Sequence, residues 1–348
     1  MNAPGRAVVV HAPHHLELEM RPTPDLMADQ VLIRVHTGGI CGSDLHYYHQ
    51  GGFGAVRIKA PMVLGHELSG VVVEIGAAVT GLKPGLRVAI NPSLPCGICE
   101  QCRLGRRNHC TDMRFFGSAM CWPHVDGGFR DHLVCQAEQA IPIADSVSFG
   151  EAALAEPLAV CLHAVRQAGE LLGKRVLVTG AGPIGTLLVA AARLAGASDI
   201  TVTDVVAAPL RMAERLGADR TIDVGANREA IAEETARNGK FDVHFEAAGS
   251  APALLSGLSE LRPKGVCVLI GQGAEISLQV SSLIGREIEM RGSFRFDREF
   301  RLAVEYLAKG MLPVKEVITA TLPVDRAVEA FDLASDKRVS TKVQLDFA

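Results

Sequence analysis

Three groups of residues in this chain have types and spacing that could do chemistry. The first is Cys96-x2-Cys99-x2-Cys102-x7-Cys110, four of the nine cysteines gathered within fifteen residues. Zinc takes four thiolates in closed structural sites, and C-x2-C spacing lets neighbouring residues wrap one ion. Four thiolates leave no open position, so this group is expected to staple a lobe, about residues 92–115, and to do no chemistry itself. Arg103, Arg106 and Arg107 lie alongside and would offset the negative charge of such a site. The second group is Gly180-Ala181-Gly182-Pro183-Ile184-Gly185, a G-x-G-x-x-G. Its first glycine permits a tight turn, its second lets the backbone approach a pyrophosphate, and its third packs a helix on a strand. The free N–H groups at the start of that helix would face the phosphates. Asp204 stands 24 residues beyond Gly180, close to the spacing of a carboxylate that holds the adenosine ribose hydroxyls. A carboxylate there repels a 2′-phosphate, and Val205 to Pro209 supplies no Arg or Lys, so NAD is expected over NADP. The third group is looser: Cys41-Gly42-Ser43-Asp44-Leu45-His46, then Gly65-His66-Glu67 some twenty residues on. Taken singly, a Cys or a His is more commonly a packed or surface residue than a ligand.

The elements that must position these groups follow from periodicity. Up to about residue 150, β-branched runs punctuated by Gly and Pro recur at Gln30 to His36, Val71 to Ile75 and Arg87 to Ile90, the spacing of a compact barrel-like domain. From about Gly173 strand and helix alternate. Arg175 to Thr179 reads as a buried strand, and Ile184, Leu187, Leu188, Ala191 and Leu194 then recur at helical spacing. Strands follow at Asp199 to Thr203, Phe241 to Phe245 and Val266 to Ile270, with helices over Leu210 to Leu216 and Ala253 to Leu261. That alternation predicts an α/β domain with a doubly wound parallel sheet. A helix from about Arg298 to Lys309 and a strand over Ser340 to Phe347 close the chain.

Composition sets the outer limits. A length of 348 residues suggests two domains at roughly 100–200 residues each, and 48% hydrophobic residues exclude a disordered chain. A formal charge of −4 gives no reason to expect nucleic acid or an anionic membrane surface. No apolar run approaches the roughly 20 residues of a membrane span, and Met1 to Val10 is too short for a secretory signal. An odd cysteine count without such a signal argues against a disulfide framework. A cytoplasmic protein is expected.

Gly65-His66-Glu67-x2-Gly70-x5-Gly76-x2-Val79 matches the signature of the zinc-containing medium-chain dehydrogenases, and with the Cys41 segment, the cysteine lobe and the Gly180 loop the chain resembles that family along essentially its whole length. Within it, Cys41-Gly42-Ser43-Asp44-Leu45-His46-Tyr47-Tyr48 and Ala60-Pro61-Met62-Val63-Leu64-Gly65-His66-Glu67 are most similar to the sorbitol-type polyol dehydrogenases and, closer still, the idonate 5-dehydrogenases. The resemblance implies a GroES-like β-rich catalytic domain over 1–156, a Rossmann cofactor domain over 157–293 and a return to the catalytic domain over 294–348. It implies a catalytic zinc held by Cys41 and His66, with Glu156 where many relatives carry a Cys. Glu156 and Glu67 would share or exchange the third position with water and substrate. Ser43 and His46 match the hydroxyl and imidazole that relay the alcohol proton to solvent, and Tyr47 and Arg295 fall where polyol enzymes contact the sugar chain. Ile270 and Gly271 would join the cofactor site. A homo-oligomer, dimer or tetramer, is implied as well, with Glu287 to Gly292 as the edge strand that pairs with its two-fold mate.

The chemistry is coherent without the family. Hydride leaves an alkoxide far more readily than an alcohol, and an open-site zinc can lower a bound hydroxyl from a pKa of about 16 to about 7, a bias of roughly 12 kcal/mol. His46 supplies the imidazole, a side chain that exchanges protons near neutrality. The substrate expected is a secondary alcohol of a sugar acid, L-idonate at C5, with a sorbitol or xylitol dehydrogenase as the alternative. A threonine dehydrogenase and a non-catalytic NAD(H)-binding protein stand behind these. An aldonate needs a cation in the cleft, and Arg295, Lys59, Arg57, Arg114 and His49 are the candidates.

Overall fold

The computed structural model describes residues 4–227, 229–273 and 275–348, so Met1–Ala3 of the N-terminal stretch lie outside the described residues. Two β systems divide the chain. In the first, Gln30–Gly39 is central: it pairs antiparallel with Glu67–Ile75 on one side and with Lys342–Asp346 and His132–Gln136 on the other. Arg87–Ile90 and Ala140–Pro142 extend the sheet beyond Glu67–Ile75, and Ile318–Pro323 adds a parallel strand outside Lys342–Asp346. The hairpin Gly5–Ala12 with His15–Arg21 packs against this barrel. Val31, Ile33 and Val35 point inward at alternate positions and meet Leu68, Val72, Phe129 and Phe331 in one apolar core.

The second system is a six-stranded parallel sheet in the order Arg220–Asp223, Asp199–Asp204, Arg175–Thr179, Phe241–Glu246, Leu261–Leu269, Glu289–Gly292. Strand order reverses between Arg175–Thr179 and Phe241–Glu246, and ligands of such sheets bind in the crevice at the carboxyl ends of the strands there. Val176, Val178, Val202, Phe245 and Val268 are buried, as expected for strands covered on both faces.

Most expected elements appear where the periodicity places them, and the departures have local causes. The helix expected over Leu210 to Leu216 begins earlier, at Ala207–Arg215, because Pro209 falls in its first turn, where a missing N–H costs nothing. The helix Ala155–Ala168 runs across the 156/157 position, with Pro157 likewise in its first turn. It joins the cofactor sheet to the returning chain: Arg166 Nη1 lies 2.7 Å from Glu299 Oε1 on the helix Glu299–Ala308.

Gly185 shows how tightly the dinucleotide loop is built. A Cβ on it would come within 1.8 Å of the Gly180 carbonyl oxygen, a backbone atom that cannot yield. Gly185→Ala is therefore expected to destabilise the protein by about 1–3 kcal/mol through overpacking and to weaken NAD binding. Denaturant unfolding and NADH fluorescence titration measure both; wild-type values would show that the close approach has no role.

Candidate active site

Cys41 is the residue before the helix Gly42–Gln50, and His66 and Glu67 lie where the chain enters the strand Glu67–Ile75. Ligand atoms of Cys41, His66 and Glu67 come within 4.8 Å of one another. Asp44 ties the two segments together. Its carboxylate accepts hydrogen bonds from Cys41 N at 3.0 Å and from Gly65 N at 3.3 Å, and its Oδ1 lies 3.7 Å from His66 Nδ1. Asp44 thus binds the backbone on both sides and sets its charge beside the His66 ring, at a distance too long for a hydrogen bond. Asp44 is fully buried, and desolvation raises its pKa against the pull of the neighbouring imidazole.

Glu67 is gripped from the far end of the sequence. Lys342 Nζ lies 2.6 and 2.8 Å from its two oxygens and donates a third bond to Ile40 O at 2.9 Å. Both side chains are almost wholly buried. Gly39 makes room for them, since a Cβ there would sit 2.1 Å from Glu67 Oε2. Glu156, on the first turn of Ala155–Ala168, is buried on the same side. Desolvation pushes its carboxyl up to about 8; the His66 ring opposes the shift, and Glu67 and Cys41 reinforce it. Desolvation and Glu67 likewise push the Cys41 thiol up to about 11. The structure thus draws Cys41, His66 and Glu67 into ligand range of one another, and Glu156 faces them from outside that group.

The donor set fits a zinc ion. Thiol, imidazole and carboxylate are zinc's ordinary ligands. His66 Nδ1 is buried with no hydrogen-bond partner, and burial raises the Cys41 thiol and the Glu156 carboxyl, groups whose ionised forms a bound cation would favour. The second cluster fits as well: Cys96, Cys99, Cys102 and Cys110 place their sulfurs within 4.8 Å of one another. Cys96 N and Asp112 N donate to Cys110 Sγ at 3.2 and 3.4 Å, bonds that favour a thiolate. Of the flanking cations, Arg107 is engaged elsewhere, with Asp297 Oδ1 at 2.8 Å.

Around the first cluster, Ser43 and His46 are half-buried and share a face of the helix Gly42–Gln50, being three residues apart. The Phe53 ring closes on His46 and Tyr47 at 5.9 and 5.5 Å. Tyr47 is 1% exposed and its hydroxyl accepts a hydrogen bond from Ala119 N at 3.0 Å, so it presents a wall and not an open contact. Burial raises its pKa. The five candidate cations separate clearly. His49 bonds Ser335 Oγ, Arg57 caps the carbonyls of Gly54 and Val56, Lys59 lies over the Trp122 ring, and Arg114 approaches Cys121 Sγ. Arg295 is a candidate on which the charges of Glu156, Tyr47 and Cys121 act. Its guanidinium lies 3.8 Å from the Phe115 ring centroid, and desolvation lowers its pKa to about 10. Among the described residues no carboxylate is within ion-pair distance of it.

The dinucleotide loop stands at the strand-order reversal. Gly180 has φ 91° and packs on Ala248, Gly182 is the residue before the helix Pro183–Leu194 with open space where a Cβ would be, and Pro183 begins that helix. Ile184 is half-buried beside them. Asp204 Oδ2 accepts from Ala181 N at 2.7 Å and Oδ1 from Val206 N at 3.0 Å, which fixes the carboxylate beside the loop. Ile270 N and Gly271 N both donate to Glu246 O at 2.9 Å.

Sequence reading passed over three residues here. Asp44 had a signal, an acid three positions into a helix start, the place of a reciprocal cap. Glu246 and Lys342 had none locally. Glu246 holds the turn after its strand through Ala248 N and Gly249 N, at 2.9 and 2.8 Å, and Lys342 meets Glu67 only through the folded sheet.

The fold and the paired clusters define a zinc-binding dehydrogenase, and comparison with known proteins agrees. Residues 27–145 match the alcohol dehydrogenase GroES-like domain and residues 183–309 the zinc-binding dehydrogenase domain. The chain belongs to that family, as a zinc-dependent, NAD-linked enzyme of the alcohol and polyol class. It is 44% identical over 326 residues to the L-idonate 5-dehydrogenase (NAD(P)(+)) of Escherichia coli strain K12, covering 93% of this chain and 94% of that protein. It is 39% identical over 343 residues to the sorbitol dehydrogenase of Mus musculus, covering 97% and 95%. The crystal structure of L-idonate 5-dehydrogenase from Escherichia coli superposes with a TM-score of 0.95 at 42% identity, over 100% of this chain and 99% of that one. No helix among the described residues is long and apolar enough to cross a membrane.

Lys342→Met would leave the buried Glu67 carboxylate without its counter-ion, at an expected cost of about 3–5 kcal/mol. The Lys342 pKa is raised from 10.5 by Glu67 and Cys41 against desolvation, so its contribution is complete below that value and is lost only as pH rises through the higher folded one. The penalty should therefore be the same at about pH 6 and about pH 7, both below the value near 8 to which burial pushes Glu156, and Glu67→Gln added to Lys342→Met should recover most of it. Denaturant unfolding at the two pH values reads this; a stable single variant would show that the ion pair is dispensable.

Proposed function

We propose that this enzyme oxidises the C5 hydroxyl of L-idonate to 5-keto-D-gluconate, with hydride passing to NAD. The observation that carries the substrate reading is Arg295: a half-buried guanidinium stacked on Phe115, with which no carboxylate among the described residues makes an ion pair. A cation withdrawn from water without a partner is costly unless a ligand completes it, and a sugar acid brings a carboxylate. The idonate 5-dehydrogenase relative supports the same choice.

Cys41, His66 and Glu67 would hold the catalytic zinc, with Glu156 reaching it in exchange with Glu67; Cys96, Cys99, Cys102 and Cys110 would hold the structural one. When bound, the catalytic ion supplies Lewis-acid stabilisation of the substrate oxygen as its proton departs. The chain's residues do the rest. Asp44 holds Cys41 and His66 in register, and Lys342 neutralises Glu67 so that the site is not overloaded with acids. Ser43 Oγ takes up the hydroxyl proton and the His46 ring passes it outward, along a helix face that reaches from the buried site to its rim. Phe53 and Tyr47 wall the sugar chain and exclude water, and Arg295 fixes the end that bears the carboxylate. Gly180, Gly182, Pro183, Ile184 and Gly185 carry the pyrophosphate, Asp204 the adenosine ribose, and Ile270 with Gly271 the far side of the cofactor crevice. The catalytic unit spans 1–156 with the return 294–348, and the cofactor unit 157–293. A homo-oligomer built across Glu289–Gly292 completes the proposal.

Two measurements test it. Arg295→Ala should lower kcat/KM for L-idonate about 100-fold, the order of a lost charge-assisted bond, and lower it less for sorbitol; equal losses would remove the case for charge recognition. The wild type should prefer NAD to NADP by kcat/KM, and Asp204→Ser should narrow that ratio about tenfold by removing like-charge repulsion. A ratio that stays put would take Asp204 out of cofactor selection.

A further inference from the structure

The cysteine lobe and the substrate-facing arginine are mechanically joined. Arg295 has φ 52°, in the left-handed region that long side chains rarely adopt. Such a conformation persists only where surrounding contacts hold it, and the lobe supplies them on both sides. Asn108 Nδ2 donates to Phe294 O at 3.0 Å, and Arg107 Nε bonds Asp297 Oδ1 at 2.8 Å. The His109 ring stacks on Phe294. All three residues form the single turn Arg107–His109, directly before the fourth cysteine, Cys110. Beyond the lobe, Phe115 lies between the Arg295 guanidinium, 3.8 Å from its centroid, and the His66 ring at 5.6 Å. It sets the spacing between the arginine and the metal-site imidazole.

We propose that Arg107 and Asn108 are positioning residues for substrate: they clamp the backbone of Phe294 to Asp297 so that Arg295 meets the carboxylate of a sugar acid, and thereby set the preference for acid over neutral polyol. The proposal rests on the reading of Arg295 given above. Asn108 is buried and Arg107 half-exposed, so the two offer variants of different risk to folding.

The test uses the zinc-loaded enzyme. Asn108→Asp keeps the side-chain shape, removes the donor and sets an oxygen against the Phe294 carbonyl; Arg107→Ala removes the ion pair at a surface position; Arg107→Lys retains a cation opposite Asp297. With the first two, KM for L-idonate should rise about tenfold, while kcat, KM for sorbitol and KM for NAD stay within about twofold and both zinc ions are retained by atomic emission. Arg107→Lys should restore most of the loss. Equal changes in KM for L-idonate and sorbitol would make the lobe a general support and overturn the proposal, as would no change in either. Arg295→Ala, run alongside, separates the two ideas. If it distinguishes the substrates and the lobe variants do not, only the clamp is wrong; if it does not distinguish them, both fall.

Discussion

The structure turns on an excess of buried negative charge. Asp44, Glu67 and Glu156 are each nearly or wholly withdrawn from water around the Cys41 thiol, and Lys342 is the single buried ammonium set against them among the described residues. Acids so placed are tolerable only when neutralised, hydrogen-bonded or protonated. Asp44 takes the second route, through two backbone N–H groups, and Glu67 the first, through Lys342. What remains uncompensated is carried by Cys41 and Glu156, which is why burial drives both upward. A divalent cation reverses that balance at one stroke, because it favours the thiolate and the carboxylate that the empty dielectric disfavours. The chain thus arrives at its metal site with the cost of burial already assigned, residue by residue.

That assignment forces the topology. Lys342 reaches Glu67 only because the last strand, Lys342–Asp346, lies beside Gln30–Gly39, whose Gly39 gives the pair its room. The chain must therefore leave the first β system, build the parallel sheet and come back before the metal site is electrostatically complete. The helix Ala155–Ala168, which carries Glu156 at its start, and the helix Glu299–Ala308, which begins the return, are tied by Arg166 and Glu299. Glu299 also accepts a hydrogen bond from Asp297 N at 2.9 Å and lies 3.4 Å from His163 Nδ1, and its carboxyl is held down to about 2 despite desolvation. Outward and returning legs of the chain are thereby locked close to the cleft they both line.

Motifs whose meaning is local were plain in the sequence. The glycine loop, the C-x2-C run and the strands Arg175–Thr179 and Arg87–Ile90 depend on neighbours within a few residues, and periodicity finds them. The helix expected from Leu210 starts at Ala207, because Pro209 sits harmlessly in its first turn. The hairpin Gly5–Ala12 with His15–Arg21 went unread although His15-Leu16-Glu17-Leu18-Glu19-Met20-Arg21 alternates polar and apolar residues strictly, a strand signal the sequence did carry. Lys342 was invisible for a deeper reason: its partner is 275 residues away, and nothing in Lys342-Val343-Gln344-Leu345 distinguishes a buried ammonium from an exposed one. The fate of the five candidate cations was equally hidden, since His49 and Arg57 are spent on a hydroxyl and on carbonyls that only folding brings near.

The same electrostatics bears on why an acid-binding arginine belongs in this cleft. A neutral polyol needs no counter-ion in such a pocket, whereas an anionic sugar acid would bring a charge that neither the Lys342–Glu67 pair nor the Glu156 carboxyl, pushed up to about 8 by burial, balances. A single cation at the rim must then do two things: attract the substrate carboxylate and keep it far from the buried acids. Arg295 suits both, because stacking on Phe115 desolvates one face of its guanidinium and holds the group off the metal-site imidazole, while leaving its N–H donors free of carboxylates. A planar, stacked cation is therefore the side chain that would suit the proposed acidic substrate.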